Sequence, residues 1–152
     1  MKIKTYNNLN LEEFIELGKT LGRKLKGGEV LVLASDLGGG KTTLTKAIAL
    51  GLESKDDITS PSFTILNEYK GRLHIYHFDF YRLSDPGIIR HQLSEVVHDN
   101  TSVVLIEWAD IVEGTLPEDT IKLVINKTEN DSRDIELHIP EGKEYLIWRY
   151  FI

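Results

Sequence analysis

The sequence predicts an α/β fold: a mixed sheet, part parallel and part antiparallel, flanked by helices. Three observations lead there. Residues 29–34 (Glu-Val-Leu-Val-Leu-Ala) and 102–106 (Ser-Val-Val-Leu-Ile) are short, nearly continuous apolar runs, the pattern of parallel strands buried on both faces. Helical patterns stand between them, and parallel neighbours need such crossovers. Two β-rich stretches, 62–69 and 73–81, are separated only by Lys70-Gly71-Arg72, which reads as an antiparallel hairpin.

In chain order, Ile3 and Tyr6 suggest a short edge strand. Asn10 followed by Glu13 forms a capping box, each side chain answering a backbone N–H left open by the first helical turn. Phe14, Leu17, Leu21 and Leu25 make the apolar stripe of that helix, and Gly27-Gly28 ends it. After the 29–34 strand, Leu44, Ala47, Ile48 and Leu52 recur at helical spacing, with Gly51 as a stop. Residues 56–61 are a polar connection to the hairpin. Ser84-Asp85-Pro86 opens another helix, with Ile89, Leu93 and Val96 on one face, and leads into the 102–106 strand. Beyond Leu116-Pro117 lie two or three more strands, at about 120–127, 133–139 and 145–150. No internal repeat, linker or low-complexity tract interrupts the chain.

Between the first buried strand and its helix lies Ser35-Asp36-Leu37-Gly38-Gly39-Gly40-Lys41-Thr42-Thr43. A polyphosphate carries several negative charges, and successive backbone N–H groups converge on it only where no Cβ intervenes. Gly38, Gly39 and Gly40 let the amides from about Leu37 to Thr42 point into one concavity. Lys41 then sets its ammonium against the β- and γ-phosphates, and Thr42 offers its hydroxyl to Mg2+. The helix starting near Lys41 adds its positive dipole end. Only the Gly-Lys-Thr core meets the strict motif, since Ser35 stands where Gly is usual, so the strand–loop–helix order carries the reading. The competing one is a glycine-rich turn that binds nothing. The fold class narrows to a single P-loop NTPase domain over residues 1–152.

Composition bounds the partners. The 152 residues suit one domain burying roughly two-thirds of its unfolded surface. No apolar stretch approaches the ~20 residues of a membrane span, and residues 1–6 lack the apolar region of a signal peptide. The absence of cysteine excludes disulfides, zinc-thiolate sites and thiol nucleophiles. A cytoplasmic protein is expected. The formal net charge of −6 gives no overall attraction for nucleic acid. Lys19, Arg23, Lys24 and Lys26 cluster because they end a helix, where cations suit the dipole. Tight direct RNA or DNA binding is not expected, and neither is membrane association.

A phosphate loop works with a carboxylate at the end of a neighbouring buried strand, which holds the metal or orients water. Glu107 stands where the 102–106 run stops. It reads either as a Mg2+ ligand, direct or through water, or as a surface residue closing the strand; Asp110 is its substitute. Alternation places Ile75, His77, Asp79 and Tyr81 on one face of their strand and Tyr76, Phe78 and Phe80 on the other. Asp79 is either a salt-bridge member or a catalytic group, and His77 reads as a packing or hydrogen-bonding residue. Thr64 is either a γ-phosphate sensor or an ordinary strand threonine. Trp108 either contacts a ligand or partner at the mouth of the site or fills the core.

Together, Asp36-Leu37-Gly38-Gly39-Gly40-Lys41-Thr42-Thr43, Ser60-Pro61-Ser62-Phe63-Thr64 with Asn67-Glu68-Tyr69, His77-Phe78-Asp79-Phe80-Tyr81-Arg82-Leu83 with Asp85-Pro86, Ile106-Glu107-Trp108 and Leu116-Pro117 resemble the TsaE (YjeE) family. The resemblance runs from about residue 10 to 139. It implies a single P-loop α/β domain that binds and slowly hydrolyses ATP with Mg2+ and works with TsaB and TsaD. In that system TsaD transfers a threonylcarbamoyl group to adenosine 37 of tRNAs reading codons that begin with A, and TsaE resets or regulates the complex. By the resemblance, Thr42 and Glu107 hold Mg2+, and Leu37, Gly38, Gly39, Gly40, Lys41, Thr42 and Thr43 belong to the nucleotide-binding loop. Asp79 matches an aspartate important for activity, Trp108 follows the metal ligand, and Asn10 and Arg133 lie toward the base. Ser62 replaces a commoner Thr, and residues 87–92 replace a usually acidic helical stretch.

Two other classes fit the same loop: a small-molecule kinase and a nucleotide-dependent binding module. The six arginines, Arg23, Arg72, Arg82, Arg90, Arg133 and Arg149, are scattered, and no insertion is long enough for a kinase lid. A slow ATPase acting as a switch is the expectation.

Overall fold

The computed structural model describes residues 1–35, 40–58, 66–80 and 87–147. Strand β1 (Lys2–Leu9) leads into helix α1 (Leu11–Lys24), then β2 (Val30–Ala34), α2 (Lys41–Gly51), β3 (Leu66–Tyr69), β4 (His74–Asp79), α3 (Gly87–Val96) and β5 (Ser102–Glu107). A 3-10 segment (Ala109–Thr115), β6 (Ile121–Lys127), β7 (Arg133–Ile139) and a 3-10 turn (Glu144–Leu146) follow. Among the described residues these strands form one seven-stranded sheet in the order β1-β7-β6-β2-β5-β4-β3. The pairs β4–β5, β5–β2 and β2–β6 are parallel, and β3–β4, β6–β7 and β7–β1 antiparallel. This is the expected mixed sheet.

Strand alternation sorts the core into two layers. Leu31, Leu33, Ile75, Val103, Leu105 and Leu123 share a cluster with Phe14, Leu17 and Leu21 of α1 and Leu44 and Ile48 of α2. On the other face Val30, Val32, Phe78, Val104 and Ile106 meet Leu93, Val97 and Val112. Each fully buried leucine contributes about 1.5–3 kcal/mol of transfer free energy. Helices α1 and α2 meet backbone to backbone: a Cβ at Gly22 would stand 2.2 Å from the Ile48 carbonyl oxygen, and one at Gly51 2.1 Å from that of Lys19.

Two elements differ from the sequence expectation. Strand β1 is eight residues long rather than short. Its register on β7 shifts between Tyr6 and Leu9, where Asn8 takes φ 58° and donates its N–H to Asp134 Oδ1 at 2.7 Å. A bulge of this kind turns the chain so that Leu9 is buried and Asn10 starts α1. The strand expected at 145–150 does not begin where its aromatic pattern suggests, because Glu144–Leu146 is a 3-10 turn; residues 148–150 lie outside the described residues. Tertiary contacts override β propensity there. The Tyr145 hydroxyl donates to Glu29 Oε2 at 2.5 Å, Lys26 Nζ lies 4.2 Å from the Tyr145 ring centre, and Leu146 is buried.

Glu29 itself is a buried carboxylate that the sequence placed inside an apolar strand. It accepts the N–H groups of Lys26 and Gly27 at 2.8 and 2.7 Å, besides the Tyr145 hydroxyl, so its charge is answered by three donors. It ties the end of α1 to the start of β2. No described helix is long and apolar enough to cross a membrane.

Candidate nucleotide-binding site

The central strand β2 delivers the chain into the glycine loop, and α2 begins immediately after it. Gly40 caps α2 with φ 111° and ψ 16°, a conformation that L side chains rarely adopt. A Cβ there would also lie 3.3 Å from Phe14 Cε2 and 3.6 Å from Arg133 Nε. The backbone angle therefore favours glycine at this end of the loop, and the Phe14 ring leaves a side chain there little room. The first turn of α2 carries no acidic residue, so no side-chain charge there opposes an anion drawn by the helix dipole.

Lys41 opens the helix and is 8% exposed. Its Nζ lies 3.9 Å from the centre of the Trp108 ring, a cation–π contact. Trp108 has φ 58°. For a bulky residue this left-handed backbone is an outlier that costs of order 1–3 kcal/mol, and such strain gathers at functional sites. The indole stands against the ammonium directly after the last residue of β5.

Parallel pairing brings the carboxylates to the same sheet edge. Glu107 is the register partner of Leu33 on β2 and of Asp79 on β4. Asp79 is half-buried, and Glu107 is 3% exposed. His77 Nε2 donates to Glu107 Oε2 at 2.6 Å, and the His77 side chain is 1% exposed. Among the described residues no three His, Asp or Glu side chains gather into a protein-only metal cage. A Mg2+ ion at this edge would be held by few protein groups together with phosphate oxygens and water, its usual arrangement on nucleotides. Two donors suit such an ion: a hydroxyl at Thr42 and a buried carboxylate at Glu107.

On the other side of the loop, Arg133 pairs in register with Leu9, which sets it beside Asn10. Arg133 Nη1 donates to the carbonyls of Asp131 and Ser132 at 3.1 and 3.2 Å, and its Nε faces Gly40. Asn10 is exposed and taken up by the predicted capping box: its Oδ1 accepts the Glu13 N–H at 2.8 Å, and its own N–H donates to Glu13 Oε1 at 3.0 Å. The structure therefore brings Asn10, Phe14, Gly40 and Arg133 to one flank, and Lys41, Asp79, Glu107 and Trp108 to the other. Thr42 and Thr43, in the first turn of α2, are half-buried. Leu37, Gly38, Gly39 and Thr64 lie outside the described residues.

Sequence reasoning gave His77 a packing or hydrogen-bonding role without naming its partner. It did not anticipate the Lys41–Trp108 contact, because helix and strand end meet only in the fold. It also missed a cavity of about 370 Å3 beside that contact, with Val32, Ala34, Leu116 and Pro117 among its lining residues.

A profile for the family described as "Threonylcarbamoyl adenosine biosynthesis protein TsaE" matches residues 9–135. The chain is similar to the tRNA threonylcarbamoyladenosine biosynthesis protein TsaE of Bacillus subtilis, with 40% identity over 136 residues covering 89% of this chain and 85% of the relative. The TsaE of Treponema pallidum is 40% identical over 119 residues, covering 78% and 87%. The crystal structure of Bacillus subtilis YdiB superposes with a TM-score of 0.77 at 37% identity, covering 95% of this chain and 91% of that one.

Proposed function

The chain belongs to the TsaE family of threonylcarbamoyl adenosine biosynthesis proteins, and we propose that it is a slow, Mg2+-dependent ATPase that acts on a TsaB–TsaD complex during this tRNA modification. One observation carries the reading: Lys41 and the buried Glu107 stand at the same edge of adjacent parallel strands, at the start of α2 and the end of β5.

Lys41 is the residue that receives the β- and γ-phosphates. A charge-assisted hydrogen bond to phosphate contributes about 1.5–3 kcal/mol, against about 0.5–2 kcal/mol for a cation–π contact, so nucleotide draws the ammonium off the Trp108 ring. The amides at the start of α2 hold the phosphate chain by hydrogen bonds and dipole. Thr42 and Glu107 hold Mg2+, which when bound neutralises charge on the β- and γ-phosphates and polarises the terminal one. Asp79, next to Glu107 in register, orients the attacking water. Arg133 and the Asn10 Nδ2 amide border the base.

Mg2+-dependent ATP hydrolysis by the pure protein, alone and with a TsaB–TsaD pair, tests this. A low basal rate that rises with the pair supports it. Lys41→Ala and Glu107→Gln are both expected to abolish turnover, and a variant with full turnover removes that residue from the machinery. The cavity beside Lys41 and Trp108 favours one rival, a small-molecule kinase with an acceptor seated there. That reading predicts ATP turnover raised by a small hydroxyl or amine acceptor and indifferent to the pair.

A further inference from the structure

We propose that His77 is a positioning residue: it fixes the carboxylate of Glu107 so that Oε1 is presented to the metal. The inference rests on the reading of Glu107 as the Mg2+-side carboxylate and adds the group that aims it.

Glutamate at the end of β5 is one methylene longer than the aspartate usual at this place, and an extra torsion lets its carboxylate wander. Something must hold it. His77 sits on β4 opposite Leu105, two residues before the Asp79–Glu107 pair. From there its Nε2 reaches Glu107 Oε2 at 2.6 Å, with the two side chains only 1% and 4% exposed. That bond takes one carboxylate oxygen and leaves the other.

The rest of the imidazole makes no second hydrogen bond among the described residues. Its second nitrogen, Nδ1, is buried and has no hydrogen-bond partner. A histidine retained for packing alone would be replaced at no loss by an apolar ring, or would have both nitrogens satisfied, since an unanswered buried acceptor costs about 1–3 kcal/mol. The Tyr69 ring, 6.2 Å away centre to centre and tilted by 38°, stands beside the imidazole. Ligating carboxylates are commonly held by such outer partners, whose loss weakens metal binding about 10–100-fold.

The test is metal binding by the full chain with a non-hydrolysable ATP analogue, using Mn2+ and its electron paramagnetic resonance signal. Nucleotide affinity is measured in parallel with metal chelated, and folding by thermal melting. His77→Gln keeps an N–H near the position of Nε2, His77→Asn draws it back toward Nδ1, and His77→Phe keeps the ring without a donor. The expected result is Mn2+ affinity lowered about 10–100-fold in His77→Phe and His77→Asn and largely restored in His77→Gln, with metal-free nucleotide affinity unchanged in all three. A purely structural histidine would lower the melting temperature without this split. If His77→Phe fails to fold, His77→Asn against His77→Gln decides alone. Wild-type Mn2+ affinity in a folded His77→Asn or His77→Phe variant, alongside lost affinity in Glu107→Gln, overturns the positioning role and leaves the Glu107 reading standing. Wild-type affinity in Glu107→Gln overturns both.

Discussion

Replacing Gly22 by alanine tests whether the α1–α2 contact is as close as the structure has it. Alanine at a helical interior position gains about 1 kcal/mol over glycine in propensity. Against this, the new Cβ would stand 2.2 Å from the Ile48 carbonyl oxygen and 3.0 Å from Gly51 Cα. A carbon meets a carbonyl oxygen at no less than ~3.3 Å, so the helices must part by about 1 Å. The obstacle is backbone, which cannot swing aside, so the overpacking cost falls in the upper part of its usual range of about 1–3 kcal/mol. The net loss is then about 1–2 kcal/mol, or a melting temperature lower by roughly 2–8 °C for a chain of this size. Differential scanning calorimetry measures it. Gly114→Ala is the control, since a Cβ there meets nothing within 4 Å; its melting temperature should stay level or rise. Phe14 on α1 touches the space at Gly40, so Gly22→Ala should also weaken nucleotide binding. A Gly22→Ala protein at or above wild-type stability would show that the helices do not approach this closely.

Further variants probe the loop and the buried network. Lys41→Ala should weaken ATP binding roughly 10–150-fold, the equivalent of about 1.5–3 kcal/mol; unchanged affinity by isothermal titration would remove Lys41 from the site. Gly40→Ala should weaken nucleotide binding and cost about 1–3 kcal/mol of stability, because φ 111° is strained for an L side chain; a protein as stable as wild type in urea contradicts that. Burial, and next the hydrogen bond to Glu29, pushes the Tyr145 hydroxyl above its ordinary pKa. A raised folded-state pKa means that the associated stability is complete below the unfolded value of about 10 and is lost as pH climbs beyond it. Tyr145→Phe should therefore be less stable than wild type at pH 8, with the gap narrowing at pH 11; a gap independent of pH contradicts the shift.

What could be read along the chain was local. Periodicity found α1 with its Asn10–Glu13 cap, the buried strands β2 and β5 and the β3–β4 hairpin, because burial on one face or both imprints a period directly on the residues. The left-handed backbone of Gly40 was legible in its glycine run because steric permission is a property of single residues. The alternation on β4 put His77 and Asp79 on one face before any fold was known. The C-terminal aromatic stretch misled, since Tyr145 answers to Glu29, 116 residues away in the chain.

By itself, then, the sequence determined most of the element types and the family, both of which rest on spacing and residue identity. Only the tertiary structure decided which groups meet: Lys41 on Trp108, Arg133 beside Gly40, and His77 on Glu107. Those contacts depend on strand order and register. A shift of one residue between β4 and β5 would turn a side chain to the opposite face, and nothing in the local pattern of either strand records which neighbour it will take.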